Sequence, residues 1–81
     1  MKGHLVKVKY NELKAGDTLV AINNNDTCWN KGDKFKVYDV RGYKVINCKF
    51  DDTHYLDSWN DDDGYLIGLM KEMTSEEERN N

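Results

Sequence analysis

Apolar and polar residues alternate in the first strand-like stretch of the chain. In residues 4–10, HLVKVKY, the valines and the tyrosine fall on one side and the two lysines on the other. This period of two is typical of a half-buried strand. The stretch TLVAI at residues 18–22 is short and rich in β-branched residues. It shows no such alternation, because it is apolar almost throughout. They predict a strand that is buried on both faces or nearly so.

Two further strands are predicted over residues 34–40 and 43–50, and another over 54–59. The dipeptide Arg41-Gly42 joins the first two, because glycine can supply the positive φ of a tight hairpin. Residues 61–64 predict a turn, since Asp and Gly are turn-forming residues.

The pattern after residue 64 fits two structures. Its apolar side chains follow helical spacing, yet YLIGLM is also a plausible closing strand. Gly64 and Gly68 weaken a helix, so we favour a strand over residues 65–70.

Five or six short strands at intervals of about ten residues, separated by turn signals, predict an all-β fold in the form of a small antiparallel barrel. We expect one β-barrel domain over residues 1–73 and a polar tail over 74–81 that is flexible or forms a short helical turn. Two similar turns, in residues 14–17 and 31–34, each stand just before a strand.

The order LKAGDTLVAIN … NKGDKFKVYDVRGYKVINCKFDD, over about residues 14–70, resembles the small SH3-like β-barrel proteins of phages and prophages. Residues 31–37, KGDKFKV, carry most of the resemblance. It implies an SH3-like binding scaffold, often one that binds host proteins during infection. The chain departs from eukaryotic peptide-binding SH3 domains, whose ALYDY-type segment it lacks. GDTLVAI also resembles KOW modules, but NNNDTCW replaces their glycine-rich continuation.

Size and charge narrow the function classes. The 81 residues provide one small core, and 38% of them are hydrophobic. The net charge of −3 hides an asymmetry, since residues 1–50 carry ten basic against five acidic side chains and residues 51–81 carry two against ten. No signal-peptide h-region or membrane-length apolar run is present. We therefore expect a cytoplasmic protein, in a bacterial host cell.

Carboxylates and aromatic rings are concentrated in residues 51–65. Trp and Tyr anchor protein interfaces, while carboxylates steer a basic partner. Together with the resemblance to phage proteins, this predicts a non-enzymatic protein-interaction module. The resemblance implies that it is phage-encoded and inhibits or redirects a bacterial host protein, here one with a basic surface, such as a defence or nucleic-acid-processing factor. The predicted partner-binding residues are Trp29, Tyr55, Asp57, Trp59, Asp61, Asp62, Asp63 and Tyr65. The alternative is that one tryptophan belongs to the core and the acids only keep the domain soluble.

Basic residues on the predicted strands support a second hypothesis. Lysines and aromatic rings interleave between residues 34 and 50, as in small barrels that bind single-stranded nucleic acid. The candidate nucleic-acid-binding residues are Lys34, Lys36, Arg41, Lys44 and Lys49. A pI near 5.2 opposes a large phosphate-contact contribution. A third hypothesis is a homo-oligomer that captures a small nucleotide-like ligand.

Metal sites and catalysis find little support in the spacing of residues. An EF-hand frame with Gly64 in the sixth position puts Trp59 in the first and Met70 in the twelfth, where ligands are required. Zinc could use Cys28, Cys48 and the two histidines, but no pair of them has the close spacing of zinc motifs. We therefore predict no metal and no cofactor, two thiols instead of a disulfide, and a core position for Cys48. No catalytic motif is present, so an enzyme is not predicted.

Overall fold

Short strands make up the ordered framework of the chain. The computed structural model describes residues 4–24, 28–48 and 53–73. Within these ranges the strands are β1 (His4–Val6), β2 (Thr18–Ala21), β3 (Lys34–Lys36), β4 (Tyr38–Val40), β5 (Tyr43–Asn47), β6 (Thr53–Tyr55) and β7 (Leu69–Met73), with one 3-10 helix at Tyr10–Glu12. The predicted all-β class is confirmed. None of the helical residues in these ranges belongs to a segment long and apolar enough to cross a membrane.

The strands form two antiparallel sheets. One sheet has the order β1-β7-β2-β3 and the other the order β4-β5-β6. Strand pairing is antiparallel throughout the described residues, as predicted. Neither sheet closes into a barrel in that part of the chain, so the seven short strands are two open sheets packed through a shared core.

Residues 34–40, predicted as one strand, form two strands that belong to different sheets. Val37 separates them and is fully buried. Its N–H donates to the carbonyl of Asp17 and its carbonyl accepts from the N–H of Gly16, both at 2.8 Å. These bonds take the place of a continuous ladder, so the chain changes sheet at Val37.

The turns follow the sequence signals closely. Lys14 N–H donates to Asp17 Oδ2 and Asn30 N–H donates to Asp33 Oδ2, each at 2.9 Å, so the two related turns share one geometry before β2 and β3. The β4–β5 hairpin turns through Arg41 at φ 54° and Gly42 at φ 87°. Two consecutive positive φ angles are those of a type I′ turn, which confirms the predicted hairpin.

The closing strand starts later than predicted. Residues 65 and 66 make only isolated bridges, and β7 begins at Leu69. Gly68 bends the chain before it at φ 75°, and a Cβ there would lie 3.0 Å from Asn23 Oδ1. A strand is therefore confirmed over a helix, with its start moved by the glycine. The strands predicted over 4–10 and 54–59 are likewise shorter and end at Val6 and Tyr55.

The core draws side chains from both sheets. Its largest member is Trp29, which is 2% exposed, and it packs with fully buried residues from β2, β5 and β7. The predicted double burial of β2 is confirmed, because three of its four residues are buried. Cys48 is buried as predicted. Residues 49–52 and the proposed tail over 74–81 lie outside the described residues.

Candidate functional site

The acidic turn, residues 57–65, is organised by one of its own carboxylates. Asp61 Oδ1 accepts hydrogen bonds from the N–H groups of Asp63 at 2.9 Å and Tyr65 at 3.0 Å. The N–H of Gly64 also donates to the Asp61 carbonyl at 2.9 Å. Asp61 therefore shapes the turn, while Asp62 and Asp63 present exposed side chains.

Cations from the same chain lie over the aromatic ring of this turn. The ammonium groups of Lys7 and Lys9 are each 5.2 Å from the centroid of the Tyr65 ring, within the range of a cation–π contact. A shallow groove of about 360 Å³ runs beside the turn. It is lined by Lys9, Tyr10, Asn11, Asp57, Asn60, Asp63 and Gly64. Its charge is mixed, so the acidic turn is partly neutralised by its own neighbours.

The two tryptophans form an aromatic cluster inside the domain. The ring of Trp29 lies 5.8 Å from Phe35, 5.7 Å from His54 and 6.2 Å from Trp59. The half-buried Trp59 donates from Nε1 to the carbonyl of Ile67 at 2.8 Å. Trp29 was predicted to anchor a partner, but its burial removes it from the accessible surface. Trp59 is only half-buried, so it packs against the core while part of its ring remains accessible.

Three tyrosines form an exposed surface on the second sheet, which we name the tyrosine face (Tyr38, Tyr43 and Tyr55). Tyr38 and Tyr55 are the cross-strand partners of Val45, and Tyr43 precedes Val45 by two residues, so all four side chains project from one side. Val45 is buried, whereas the three rings are 44–48% exposed. The Tyr43 and Tyr55 rings meet edge to face at 5.9 Å.

Two of the predicted nucleic-acid-binding cations are paired with carboxylates. Lys34 lies 3.1 Å from Glu72, and Lys44 lies 2.9 Å from Asp39. The hydrogen bond from Lys44, with a second from the N–H of Gly42, lowers the pKa of the Asp39 carboxyl. The same contact raises the pKa of Lys44. These cations are therefore less available to phosphates than the sequence suggested.

The other three candidate nucleic-acid-binding cations have no carboxylate partner among the described residues or lie outside them. Lys36 and Arg41 are exposed, on β3 and at the β4–β5 turn. Lys49 lies outside the described residues, as do Asp51 and Asp52 of the predicted acidic concentration. Lys36 thus precedes Tyr38 of the tyrosine face by two residues in the chain, whereas Lys34 and Lys44 lie on strands of different sheets.

Sulfur and imidazole groups meet on the opposite side of the second sheet, in what we name the Cys–His cluster (Cys28, Cys48 and His54). Their ligand-type atoms all lie within 4.8 Å of one another. Cys28 Sγ is 3.9 Å from His54 Nδ1, and both cysteines are thiols. Burial lowers the pKa of His54, which favours the neutral imidazole.

Comparison of the chain with protein-family models, with curated proteins and with solved structures found no match. Functional inference therefore rests on the residues themselves. Sequence reasoning named Tyr55 but missed Tyr38 and Tyr43 as parts of the same surface. The signal that could have found them is the period of two on each side of the Arg41-Gly42 turn, which pairs residue 40 with 43 and so puts Tyr38 and Tyr43 on one face.

Proposed function

We propose that the chain is a non-enzymatic protein-interaction module, and that the tyrosine face is its main contact surface. The observation that carries this proposal is the grouping of three exposed rings around the buried Val45. Tyrosine is enriched in protein interfaces because it combines a large apolar area with a polar hydroxyl. Its side chain also loses little conformational freedom on binding.

The arrangement of the rings favours binding without rearrangement. Tyr43 and Tyr55 already hold each other in an edge-to-face pair at 5.9 Å. All three tyrosines stand on paired strands of one sheet, which fixes their spacing. Pre-organised anchors lower the entropic cost of association, so a flat aromatic surface on a rigid sheet can support specific binding.

Charge favours a partner with a basic surface. Tyr55 and Asp57 are exposed on either side of the fully buried Leu56, so a carboxylate follows the tyrosine face by two residues in the chain. Asp62 and Asp63 add exposed negative charge farther along the acidic turn. Such carboxylates accelerate encounter with a cationic surface. The partner in this proposal is a bacterial host protein, which the module inhibits or redirects in the cytoplasm.

The finer fold assignment belongs to the same proposal. We assign the two sheets to an SH3-like barrel arrangement encoded by a phage. The sharp passage from β3 to β4 at Val37 supports it, because small barrels bend strands at points where they change sheet. The KGDKFKV resemblance supports a phage origin and a role in host takeover or anti-defence.

The proposal is tested by capture from nuclease-treated bacterial lysate with identification by mass spectrometry. A Tyr38→Ser/Tyr43→Ser/Tyr55→Ser variant should lose the captured host protein, and reversing Asp57, Asp62 and Asp63 to lysine should weaken capture. Asp61 is left intact because it organises the turn.

The matched control for that experiment replaces three exposed apolar residues elsewhere, Leu5, Ile22 and Ile67, with serine. It should retain the captured protein. Circular dichroism checks that each variant is folded. Equal capture by the tyrosine variant and the control would reject the tyrosine face as the contact surface.

A second candidate function is binding of single-stranded nucleic acid by the same rings. Lys36 and Tyr38 are both exposed on either side of the buried Val37, which puts a cation next to a stackable ring. Oligonucleotide anisotropy separates the two functions. Phosphate contacts give a log–log salt slope of about −0.7 for each contact with a single strand, whereas an aromatic protein contact gives a shallow slope.

The oligomeric hypothesis is tested by the mass in solution. The groove of about 360 Å³ is at the lower end of ligand-site volumes and is lined mainly by polar residues. Capture of a nucleotide-like ligand therefore requires a second chain to enclose it, and a monomeric mass would argue against this hypothesis.

A further inference from the structure

We propose that the Cys–His cluster is a binding site for a thiophilic metal ion, with Zn²⁺ as the ion that fits it best. Cys28, Cys48 and His54 supply two sulfurs and one imidazole nitrogen, all within 4.8 Å of one another. Thiolate and imidazole are the preferred ligands of zinc in proteins. This site is separate from the tyrosine face, which lies on the other side of the same sheet.

The distances suit tetrahedral coordination after a small contraction. Zn–S bonds of about 2.3 Å and Zn–N bonds of about 2.0 Å place two ligand atoms roughly 3.5–3.8 Å apart. Cys28 Sγ and His54 Nδ1 are already 3.9 Å apart. The widest separation in the cluster therefore requires about 1 Å of side-chain movement.

The strand register explains why these residues meet. His54 on β6 is the cross-strand partner of Ile46 on β5, and Cys48 follows Ile46 by two residues. Cys48 and His54 are thus diagonal neighbours on one face of the sheet. Cys28 reaches them from the loop that leads into Trp29. Strand pairing thus brings Cys48 and His54 together, and Cys28 joins them from a segment that is distant in the sequence.

The surroundings favour a bound cation. Cys48 is buried, and two thiolates would balance the charge of Zn²⁺ beside a neutral imidazole. The rings of Trp29 and Trp59 meet the His54 ring in T-shaped contacts, with centroids at 5.7 and 4.8 Å, and hold its orientation. His54 Nδ1 faces the cluster, because it is the nitrogen that lies 3.9 Å from Cys28 Sγ. Nε2 is buried and has no hydrogen-bond partner in the described part of the chain.

Solvent access provides the remaining coordination position. Cys28 is only half-buried, so the cluster can be reached from outside. A water molecule completes the tetrahedron in this proposal, as in zinc sites with three protein ligands. Binding releases the two thiol protons to the solvent as the sulfurs become ligands.

The experiment titrates untagged, reduced protein with Zn²⁺ against a chromogenic chelator, and records Co²⁺ spectra for the thiolate-to-metal charge-transfer band. The wild-type chain should bind one ion per chain. Cys28→Ser and His54→Gln should each bind at least ten-fold more weakly, and Cys28→Ser should weaken the charge-transfer band. His4→Gln is the matched control, because His4 lies on β1 and outside the cluster. It should bind as the wild type does.

Folding of the variants is checked without metal, by circular dichroism in the presence of a chelator. Cys28 is the most informative position, because a half-exposed cysteine tolerates serine better than a buried one. The proposal is overturned if the reduced wild-type chain binds no stoichiometric ion. It is also overturned if Cys28→Ser and His54→Gln bind Zn²⁺ as tightly as His4→Gln.

Discussion

The two faces of the β4-β5-β6 sheet differ in solvent exposure and in the side chains they carry. One face presents the rings of Tyr38, Tyr43 and Tyr55 to solvent. The opposite face places His54 against two tryptophan rings and two cysteines. The same short strands produce both, because neighbouring residues in a strand project to opposite sides.

The contrast separates side chains that are available to bind a partner from side chains that pack the core. The tyrosine face can change without disturbing the core, since its rings are about half exposed. The inner face cannot, because Trp29 and Ile46 are part of the main hydrophobic cluster. Removing a side chain from the inner face should therefore lower the stability of the fold, whereas removing one from the outer face should mainly weaken binding.

The largest expected effect comes from Trp29→Ala, which should lower the free energy of unfolding by about 3–5 kcal/mol, as for other buried aromatic residues. Urea denaturation in the presence of a chelator measures this loss, and Trp29→Phe should lower the free energy of unfolding by less than Trp29→Ala does. Tyr38→Ala is the comparison on the other face, with an expected loss of less than about 1 kcal/mol. Similar losses for Trp29→Ala and Tyr38→Ala would show that the two faces do not differ in this way.

A smaller effect is expected within the tyrosine face. Tyr43 and Tyr55 form an edge-to-face pair, so a double-mutant cycle with alanine should give a coupling energy of about 0.5–1.5 kcal/mol. The control cycle combines Tyr43 with Leu5, which lies on β1 in the other sheet, and should be additive. Additivity of Tyr43 and Tyr55 would mean that the rings act independently and that pre-organisation of this surface is absent.

The smallest effect should come from Asp39 on the edge strand of the same sheet, and it should disappear in acid. The pKa of Asp39 is lowered by Lys44 and the Gly42 N–H, so its stabilising contribution is complete above the ordinary value of 3.8 and is lost as the pH falls through the lowered folded-state pKa. Asp39→Asn should therefore be slightly less stable than wild type at pH 7, with the difference vanishing in strong acid. Denaturation curves at several pH values measure this, and a difference independent of pH would contradict it.

The local elements were predictable because their signals are local. Strands and hairpins were identified without reference to distant residues, from the period-two pattern, the glycine of the β4–β5 turn and the two similar turns at residues 14–17 and 31–34. The acidic turn was also located correctly, since Asp and Gly determine it. Its carboxylates were expected to act together on a partner. The side chain of Asp61 instead accepts hydrogen bonds from the backbone N–H groups of the turn, which composition alone does not reveal.

By itself, the sequence determined the all-β class, the positions of the turns and the burial of β2, because each depends on the conformational preferences of adjacent residues. Only the tertiary structure decided that residues 34–40 change sheet, that Trp29 is a core residue and that Cys28, Cys48 and His54 converge. These outcomes depend on cross-strand register and on packing between segments far apart in the chain. Such contacts form because they bury the core as a whole, and no short stretch of residues is sufficient to specify them.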